Sequence, residues 1–299
     1  MSQNISLPNG SGGRAPLVAA RRRGKLAQFV AVNLTRLILL VACLATLFPA
    51  IWLVAASFSA GTSLYSSGLI PAKTTLENYT NLFKTSSFLL WMKNSLIICT
   101  ASSTLTLFFT TSMAYAFARF RFPGRRLGLL ALILIQMFPA VMSIVAIFRL
   151  LQVLHLLNSH LGLILIYGGT GIGFSTYLLK GYIDSIPREL DESAFVDGAT
   201  HWQVFTKMIL PLASPMLAVV FLFSFIGFFQ EYLIASIVLT SPNLRPIALG
   251  MRFYINGNYA QNWTGFAAAS IVSSLPVTII FFWLQRYLVQ GLTKGALKG

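Results

Sequence analysis

Long apolar stretches without any ionisable residue divide the sequence. Six of them lie at 37–56, 94–118, 127–148, 161–179, 212–230 and 263–285. As a helix, each is long enough to cross the roughly 30 Å hydrocarbon core of a bilayer at about 1.5 Å per residue. Because backbone amides cannot stay unpaired in lipid, uninterrupted stretches of this length favour helices over barrel strands. The pattern predicts an all-α polytopic membrane protein with six transmembrane helices.

Glu231 interrupts the fifth apolar stretch, which then resumes as far as Leu239. We expect the fifth helix to continue through this carboxylate. An unpaired carboxylate inside a span costs about 3 kcal/mol, so Glu231 is expected to face a water-filled pathway. A second interpretation is that Glu231 carries protons or cations, which would make the chain a proton-coupled secondary transporter.

The composition argues against a soluble enzyme, a nucleic-acid-binding domain and a disordered basic tail. Of the 299 residues, 56% are hydrophobic and 10% are charged, whereas soluble domains have roughly 25% charged residues. The net charge of +15 would suggest nucleic acid in a soluble protein, but these basic residues are spread thinly between apolar stretches. We expect contact with membrane lipid and no nucleic-acid partner.

Cys43 and Cys99 form no CxxC pair and are expected to be small buried residues. The sequence predicts no metal site and no set of catalytic residues.

Basic residues also indicate the orientation. If the N-terminus is cytoplasmic, 16 of the 22 Lys and Arg residues fall on the cytoplasmic side. Cytoplasmic loops are enriched in such residues, so both termini are expected in the cytoplasm. The basic cluster at 21–25 precedes an apolar stretch too long for a cleaved signal peptide, which favours an uncleaved first helix.

The loop at 180–211, on the cytoplasmic side in this orientation, holds five of the seven acidic residues. Gly198 is expected to end a short acidic helix in a left-handed turn, and the Thr200–Gln203 capping-box pattern to begin a second helix. We expect Trp202, Phe205 and Ile209 on one face of that helix and Pro211 at its end. The loop is thus interpreted as two short helices that dock a partner protein, with an ordinary solvated linker as the alternative.

The same loop contains the segment Glu192-Ser-Ala-x3-Gly198-x9-Met208-Ile-Leu-Pro211. This segment resembles the EAA motif of binding-protein-dependent ABC importer permeases, and Ser193 and Met208 depart from the motif's Ala and Ile. Both changes are conservative. Over 183–299 the chain resembles the smaller permease subunits of maltose and maltodextrin importers in sequence segments such as Gly265-Phe-Ala-Ala-Ala269.

The resemblance implies a permease with the type I ABC importer fold in the bacterial cytoplasmic (inner) membrane. The implied partners are a second permease subunit, two ATPase subunits and an extracytoplasmic sugar-binding protein. ATP and Mg would bind to the ATPase, so this chain is expected to hold no cofactor and to be no enzyme. The residues implied in coupling to the ATPase are Glu192, Ser193, Ala194, Asp197, Gly198, Leu210 and Pro211, with Thr293, Lys294 and Gly295 of the tail as a further ATPase contact.

The outer segment before the last span resembles the loop that helps to release sugar from the binding protein. Its amide and aromatic side chains suit carbohydrate: Tyr254, Asn256, Asn258, Tyr259, Gln261 and Asn262. We divide the chain into an N-terminal tail (1–33), a first helix with its outer loop (34–92), a permease core that contains the loop at 180–211 (93–288) and a C-terminal tail (289–299).

Glycines at 168–173 have the spacing of a phosphate-binding loop but lack its Lys-Ser/Thr ending and a preceding strand. We therefore expect no nucleotide site there. Gly169 and Gly173, four residues apart within a span, favour close helix packing instead.

Overall fold

The computed structural model describes residues 15–63, 71–84, 86–137, 140–256 and 261–296, and the side chains of these except 15–27, 30, 140–141 and 288–296. The α-helices in this part are α1 (Ala15–Ser57), α2 (Glu77–Lys84), α3 (Phe88–Arg119), α4 (Arg125–Gln136), α5 (Ile144–Val153), α6 (His160–Thr170), α7 (Ile172–Asp184), α8 (Glu189–Val196), α9 (His201–Val204), α10 (Leu210–Gln230), α11 (Leu233–Val238), α12 (Ile247–Gly250) and α13 (Trp263–Ala296). Within these ranges the extended structure is limited to an isolated bridge between Ser59 and Thr74. The all-α prediction is confirmed.

Two compact units make up the chain, residues 1–55 and 56–299. The described part of the first unit belongs to α1, whose segment Ala31–Ser57 has a mean hydropathy of 2.6 and exposes its side chains almost throughout. A helix that is apolar on all sides suits lipid contact. Cys43 is exposed on this helix and Cys99 is buried on α3, so the expectation of burial is wrong for Cys43.

Four described helical segments are long and apolar enough to cross a membrane: Ala31–Ser57, Phe88–Arg119, His201–Gln230 and Trp263–Tyr287. Helices α6 and α7 form a fifth span if the two act together across their 46° bend. The third predicted stretch differs, because α4 ends at Gln136 and a 3-10 turn precedes α5. Pro139 lies between these two helices in the sequence, and a proline cannot donate the amide hydrogen bond that would join them.

Helix α3 is the central element of the larger unit and packs against α6, α7 and α10. Several small polar side chains along it are buried, and some of these bond to backbone groups of its neighbours. Thr106 donates to the carbonyl of Gly168 at 3.1 Å, and Ser95 accepts from the amide of Ile247 at 2.6 Å. Asn94 donates to two carbonyls after α11. These bonds satisfy backbone groups at helix ends that lipid would leave unpaired.

Helix α9 continues directly into α10. A π-helical turn at Phe205–Ile209 joins them, so one apolar helical segment runs from His201 to Gln230. The prediction that Pro211 ends this helix is wrong. Pro211 lies in the first turn of α10, immediately after the π turn has shifted the hydrogen-bond register, and a residue without an amide donor is tolerated at such a position.

Close packing of α7 depends on one glycine. A Cβ atom on Gly173 would lie 2.6 Å from the carbonyl oxygen of Leu132 on α4, and one on Gly168 would lie 2.5 Å from the side chain of Leu105. Gly169 has no atom within 4 Å of the corresponding position. The expected close approach thus occurs at Gly173 and not at Gly169.

We expect Gly173→Ala to destabilise the packing of α7 against α4 by about 1–3 kcal/mol, because the backbone of α4 must move to admit the methyl group. The measurement is the thermal unfolding midpoint of the purified protein in detergent. Gly181→Ala on the same helix is the matched control, since no atom lies within 4 Å of its Cβ position. Equal midpoints for the two variants would contradict the packing argument.

Candidate functional site

The loop at 180–211 folds as two short helices around a glycine turn. Gly198 follows α8 with a φ of +83°, a left-handed conformation that costs glycine little. The amide of Gly198 donates to the carbonyl of Phe195 at 3.0 Å, and that of Ala199 to Ala194 at 2.9 Å, which satisfies carbonyls at the helix end. This confirms the predicted helix-turn-helix arrangement.

Thr200 begins α9 with the predicted capping box. Its hydroxyl accepts from the Gln203 amide at 3.3 Å, and the Gln203 side chain accepts from the Thr200 amide at 2.8 Å. Of the three residues predicted to share one face, Phe205 and Ile209 are buried, whereas Trp202 is 69% exposed although its ring lies 5.7 Å from that of Phe205. The second helix therefore packs on one side and presents an indole on the other.

The solvent-exposed side chains of the loop are both apolar and acidic, and we call this exposed set the loop face. Its apolar members are Leu190, Phe195, Val196 and Trp202, and its exposed carboxylates are Glu189, Glu192 and Asp197. Val196 is 87% exposed, and exposed apolar groups rimmed by polar residues are typical of surfaces that contact a protein or a membrane. Ala194, at 9% exposure, packs inward, and no atom lies within 4 Å of a Cβ on Gly198.

A buried ion pair fixes this loop to the end of α3. Arg119 Nε lies 2.5 Å from Asp191 Oδ2, with both side chains less than a tenth exposed. Arg119 also donates to the carbonyl of Ile186 at 3.1 Å, and Arg188 donates in return to that of Ala118 at 2.9 Å. Asp191 is therefore buried, which a solvated linker, the alternative interpretation of the loop, would not require.

Aromatic contacts reinforce the attachment of the loop. The Tyr115 ring on α3 lies 4.8 Å from that of Phe205, and the His201 ring lies 5.2 Å from Phe120 and 4.7 Å from Phe195. With the ion pair, these contacts join the loop to α3, while α9 is continuous with α10. Sequence reasoning missed Arg119 and Tyr115, because the two lie at least 67 residues before their partners and match no motif.

The remaining residues of the EAA segment lie where the loop joins the membrane helices. Leu210 is partly buried against the cluster around Phe205, and Pro211 is exposed in the first turn of α10. Ser193 is exposed and bonds to the carbonyl of Glu189 at 2.8 Å. Thr293, Lys294 and Gly295 lie in the last turns of α13, outside the part with described side chains.

Glu231 lies at a break between two helices, so the prediction of a continuous fifth helix is wrong. Its carboxylate accepts from the Tyr167 hydroxyl at 2.5 Å and from the amides of Ile234 and Ala235 at 2.8 and 3.1 Å. The break frees these amides at the start of α11, and the carboxylate pairs with them. The group also lines a cavity of about 420 Å³ together with Tyr167 and Phe228, whose rings stack 5.1 Å apart.

The outer segment divides into structural and exposed residues. Tyr254 is 8% exposed within an apolar cluster, where burial raises the pKa of its hydroxyl. Asn262 accepts from the Gly265 amide at 2.8 Å and caps α13. Asn256 and Gln261 are exposed. Asn258 and Tyr259 lie outside the described residues.

A comparison with protein families matches residues 107–294 to the binding-protein-dependent transport system inner membrane component family. A galactooligosaccharide transport system permease of Bacillus subtilis is 38% identical over 92% of this chain and 98% of its own length. A maltose/maltodextrin permease of Escherichia coli K12 is 39% identical over 89% and 95%. One of Vibrio vulnificus is 41% identical over 85% and 91%.

Solved structures share the fold at lower identity. A chain of a bacterial ABC transporter that imports alginate has a TM-score of 0.76 and 23% identity, covering 87% of this chain and 97% of its own. The match supports a multi-pass permease architecture. The expected resemblance to maltose and maltodextrin permeases is confirmed by the curated relatives. The chain therefore belongs to the family of binding-protein-dependent transport system inner membrane components.

Proposed function

We propose that the chain is the membrane permease subunit of an ATP-driven ABC importer for neutral oligosaccharides, with maltose and maltodextrins as its substrates. The family assignment and the sugar-permease relatives support this proposal. The chain works with a second permease subunit, two ATPase subunits and an extracytoplasmic sugar-binding protein in the bacterial cytoplasmic (inner) membrane. ATP and Mg bind to the ATPase, and this chain is the transport component.

The observation that carries the proposal is the loop face. It presents exposed apolar groups and carboxylates on two short helices, and Gly198 leaves open space at their turn. Such a surface suits a cleft on an ATPase subunit. In this proposal Glu192 and Asp197 are the exposed acids at the contact with the ATPase. The tail at 293–295 forms a further contact with the ATPase.

The attachments behind the loop face explain how motion would travel. Arg119 and Asp191 join the loop to α3, and the π turn makes α9 one helix with α10. A displacement imposed on the loop by closure of the ATPase dimer moves both helices as one body. Rigid-body motion of this kind is a standard route between inward- and outward-facing states.

Two alternatives concern the substrate and the energy source. Galactooligosaccharides are a second candidate substrate, because the Bacillus subtilis relative matches 92% of the chain. In a proton-coupled transporter, Glu231 would have to exchange protons with water. Its three hydrogen bonds to Tyr167, Ile234 and Ala235 favour a role as a helix cap.

The function is tested by uptake into proteoliposomes that hold this chain with its neighbouring permease, the ATPase and the binding protein. With ATP sealed inside, we expect maltose uptake that an uncoupler does not reduce. Uptake driven by a proton gradient without ATP would contradict the importer. ATP hydrolysis with galactobiose uptake but no maltose uptake would keep the class and change the substrate.

Gly198→Asp is expected to abolish most sugar uptake while the complex still assembles. The space around Gly198 admits the side chain, and the left-handed backbone adds a strain of about 1–2 kcal/mol that the control variant shares, so the difference between the two variants reports bulk and charge acting on the docked partner. Gly124→Asp is the matched control, since Gly124 also has a positive φ of +81° and open space but lies outside the loop. Normal uptake by Gly198→Asp at normal expression would refute the coupling role.

Asp191→Asn is expected to destabilise the attachment of the loop by about 3–5 kcal/mol, because the buried Arg119 guanidinium loses its counter-charge. The readouts are the unfolding midpoint of the complex and retention of the ATPase during purification. Asp184→Asn breaks the more exposed pair with Lys180 and should cost less than about 1 kcal/mol. Partial recovery in the charge-swapped Arg119→Asp/Asp191→Arg variant would separate the pair from a general folding effect, and equal effects of the two single Asn variants would contradict it.

A further inference from the structure

A second cavity, of about 500 Å³, lies at the opposite end of α10 from the loop at 180–211. Its walls include Tyr232, in the break after α10, together with Arg252, Ile255, Asn256 and Phe266. The helical segment His201–Gln230 places this cavity about 45 Å from the loop face at 1.5 Å per residue. The two sites therefore lie on opposite sides of the membrane, and this one is on the side from which an importer receives its substrate.

Arg252 is held in place within this cavity by neutral groups. Its Nε donates to the Asn256 side chain at 2.9 Å, one Nη donates to the Tyr232 hydroxyl, and the guanidinium lies 5.1 Å from the centre of the Tyr232 ring. Among the described residues no carboxylate pairs with Arg252, since the ion pairs there are Arg119–Asp191 and Lys180–Asp184. A guanidinium has five N–H donors, so three remain for a ligand.

The other residues that line this cavity add apolar surface beside the polar groups of Arg252 and Asn256. Phe266 on α13 and Ile255 are partly buried, and they lie beside the donors of Arg252 and the amide of Asn256. Sugars combine an apolar C–H face with a rim of hydroxyl groups that donate and accept hydrogen bonds. Tyrosine and phenylalanine rings suit the first, and guanidinium and amide groups suit the second.

The size and composition favour a saccharide over a protein side chain. Small-molecule sites have volumes of roughly 300–1,000 Å³, and this cavity falls within that range. An acidic side chain of a docked binding protein would pair with Arg252 but would leave the rest of the space and the aromatic walls unfilled.

We propose that Tyr232, Arg252, Asn256 and Phe266 form a saccharide-binding subsite at the outer end of the permease, which holds one or two sugar rings as the substrate leaves the binding protein. This inference rests on the proposed importer function. Arg252 donates to ring or hydroxyl oxygens, Asn256 bonds to a neighbouring hydroxyl, and Phe266 lies against the C–H face. Tyr232 orients Arg252.

The first test is the amount of maltotriose taken up per ATP hydrolysed by the reconstituted importer. Arg252→Gln should lower this ratio at least about fivefold, because charge-assisted hydrogen bonds to the sugar are lost. Arg245→Gln is the matched control: it removes the same charge from the segment before α12 without lining the cavity. A ratio for Arg252→Gln equal to that of Arg245→Gln overturns the proposal. So does an equal fall in uptake and ATP hydrolysis, which would assign the cavity to docking of the binding protein.

A direct binding measurement separates this inference from the proposed function. The purified complex without binding protein, trapped with ATP and vanadate, is dialysed against labelled maltotriose or galactotriose. We expect one of the two saccharides to bind, and to bind at least about fivefold more weakly to Arg252→Gln and to Phe266→Ala. Binding without ATP-driven uptake would overturn the proposed function alone. A wild-type complex that transports sugar but binds neither saccharide here overturns the subsite alone.

Discussion

Lipid offers no hydrogen bonds, and this constraint shapes the larger unit of the chain. Each polar group at membrane depth needs a partner within the protein, because an unpaired one costs several kcal/mol. Thr106 and Ser95 on α3 bond to backbone groups of Gly168 and Ile247, where neighbouring helices begin or bend. Gln136 bridges the bend between α6 and α7 through Thr170 and Phe174. Irregular backbone thus occurs where side chains of a packed helix can satisfy it.

Glu231 follows the same constraint and acquires a structural role from it. A carboxylate within an apolar helix would be unpaired, whereas a break in the helix exposes amides that can pair with it. The break turns Glu231 and Tyr232 toward different cavities, one lined by Tyr167 and Phe228, the other by Arg252. The interruption of the fifth span therefore places polar groups in both cavities at this end of α10.

In the loop at 180–211 most acidic side chains are exposed and can be solvated by water. Asp191 is the exception, because it is buried together with Arg119 of α3. A buried pair adds little net stability compared with apolar groups, but it is costly to break and fixes one geometry. The loop thus presents exposed Val196 and Trp202 from a base that the ion pair holds in one geometry.

The sequence alone determined the all-α membrane class, the apolar stretches and the helix-glycine-helix loop, because periodicity, capping residues and a left-handed glycine act over a few neighbouring positions. Contacts between distant segments were decided by the tertiary structure. The pairing of Arg119 with Asp191 could not be read from sequence, since each of several basic residues was an equal candidate. Local rules also misjudged Pro211 and Glu231: a π turn accommodated the proline, and the Tyr167 hydroxyl and the amides of α11 made a helix break more favourable than a continuous span. For Glu231 the deciding factor includes the Tyr167 hydroxyl, which only the folded chain brings within reach, and for Pro211 it is a shift of hydrogen-bond register within the helix itself.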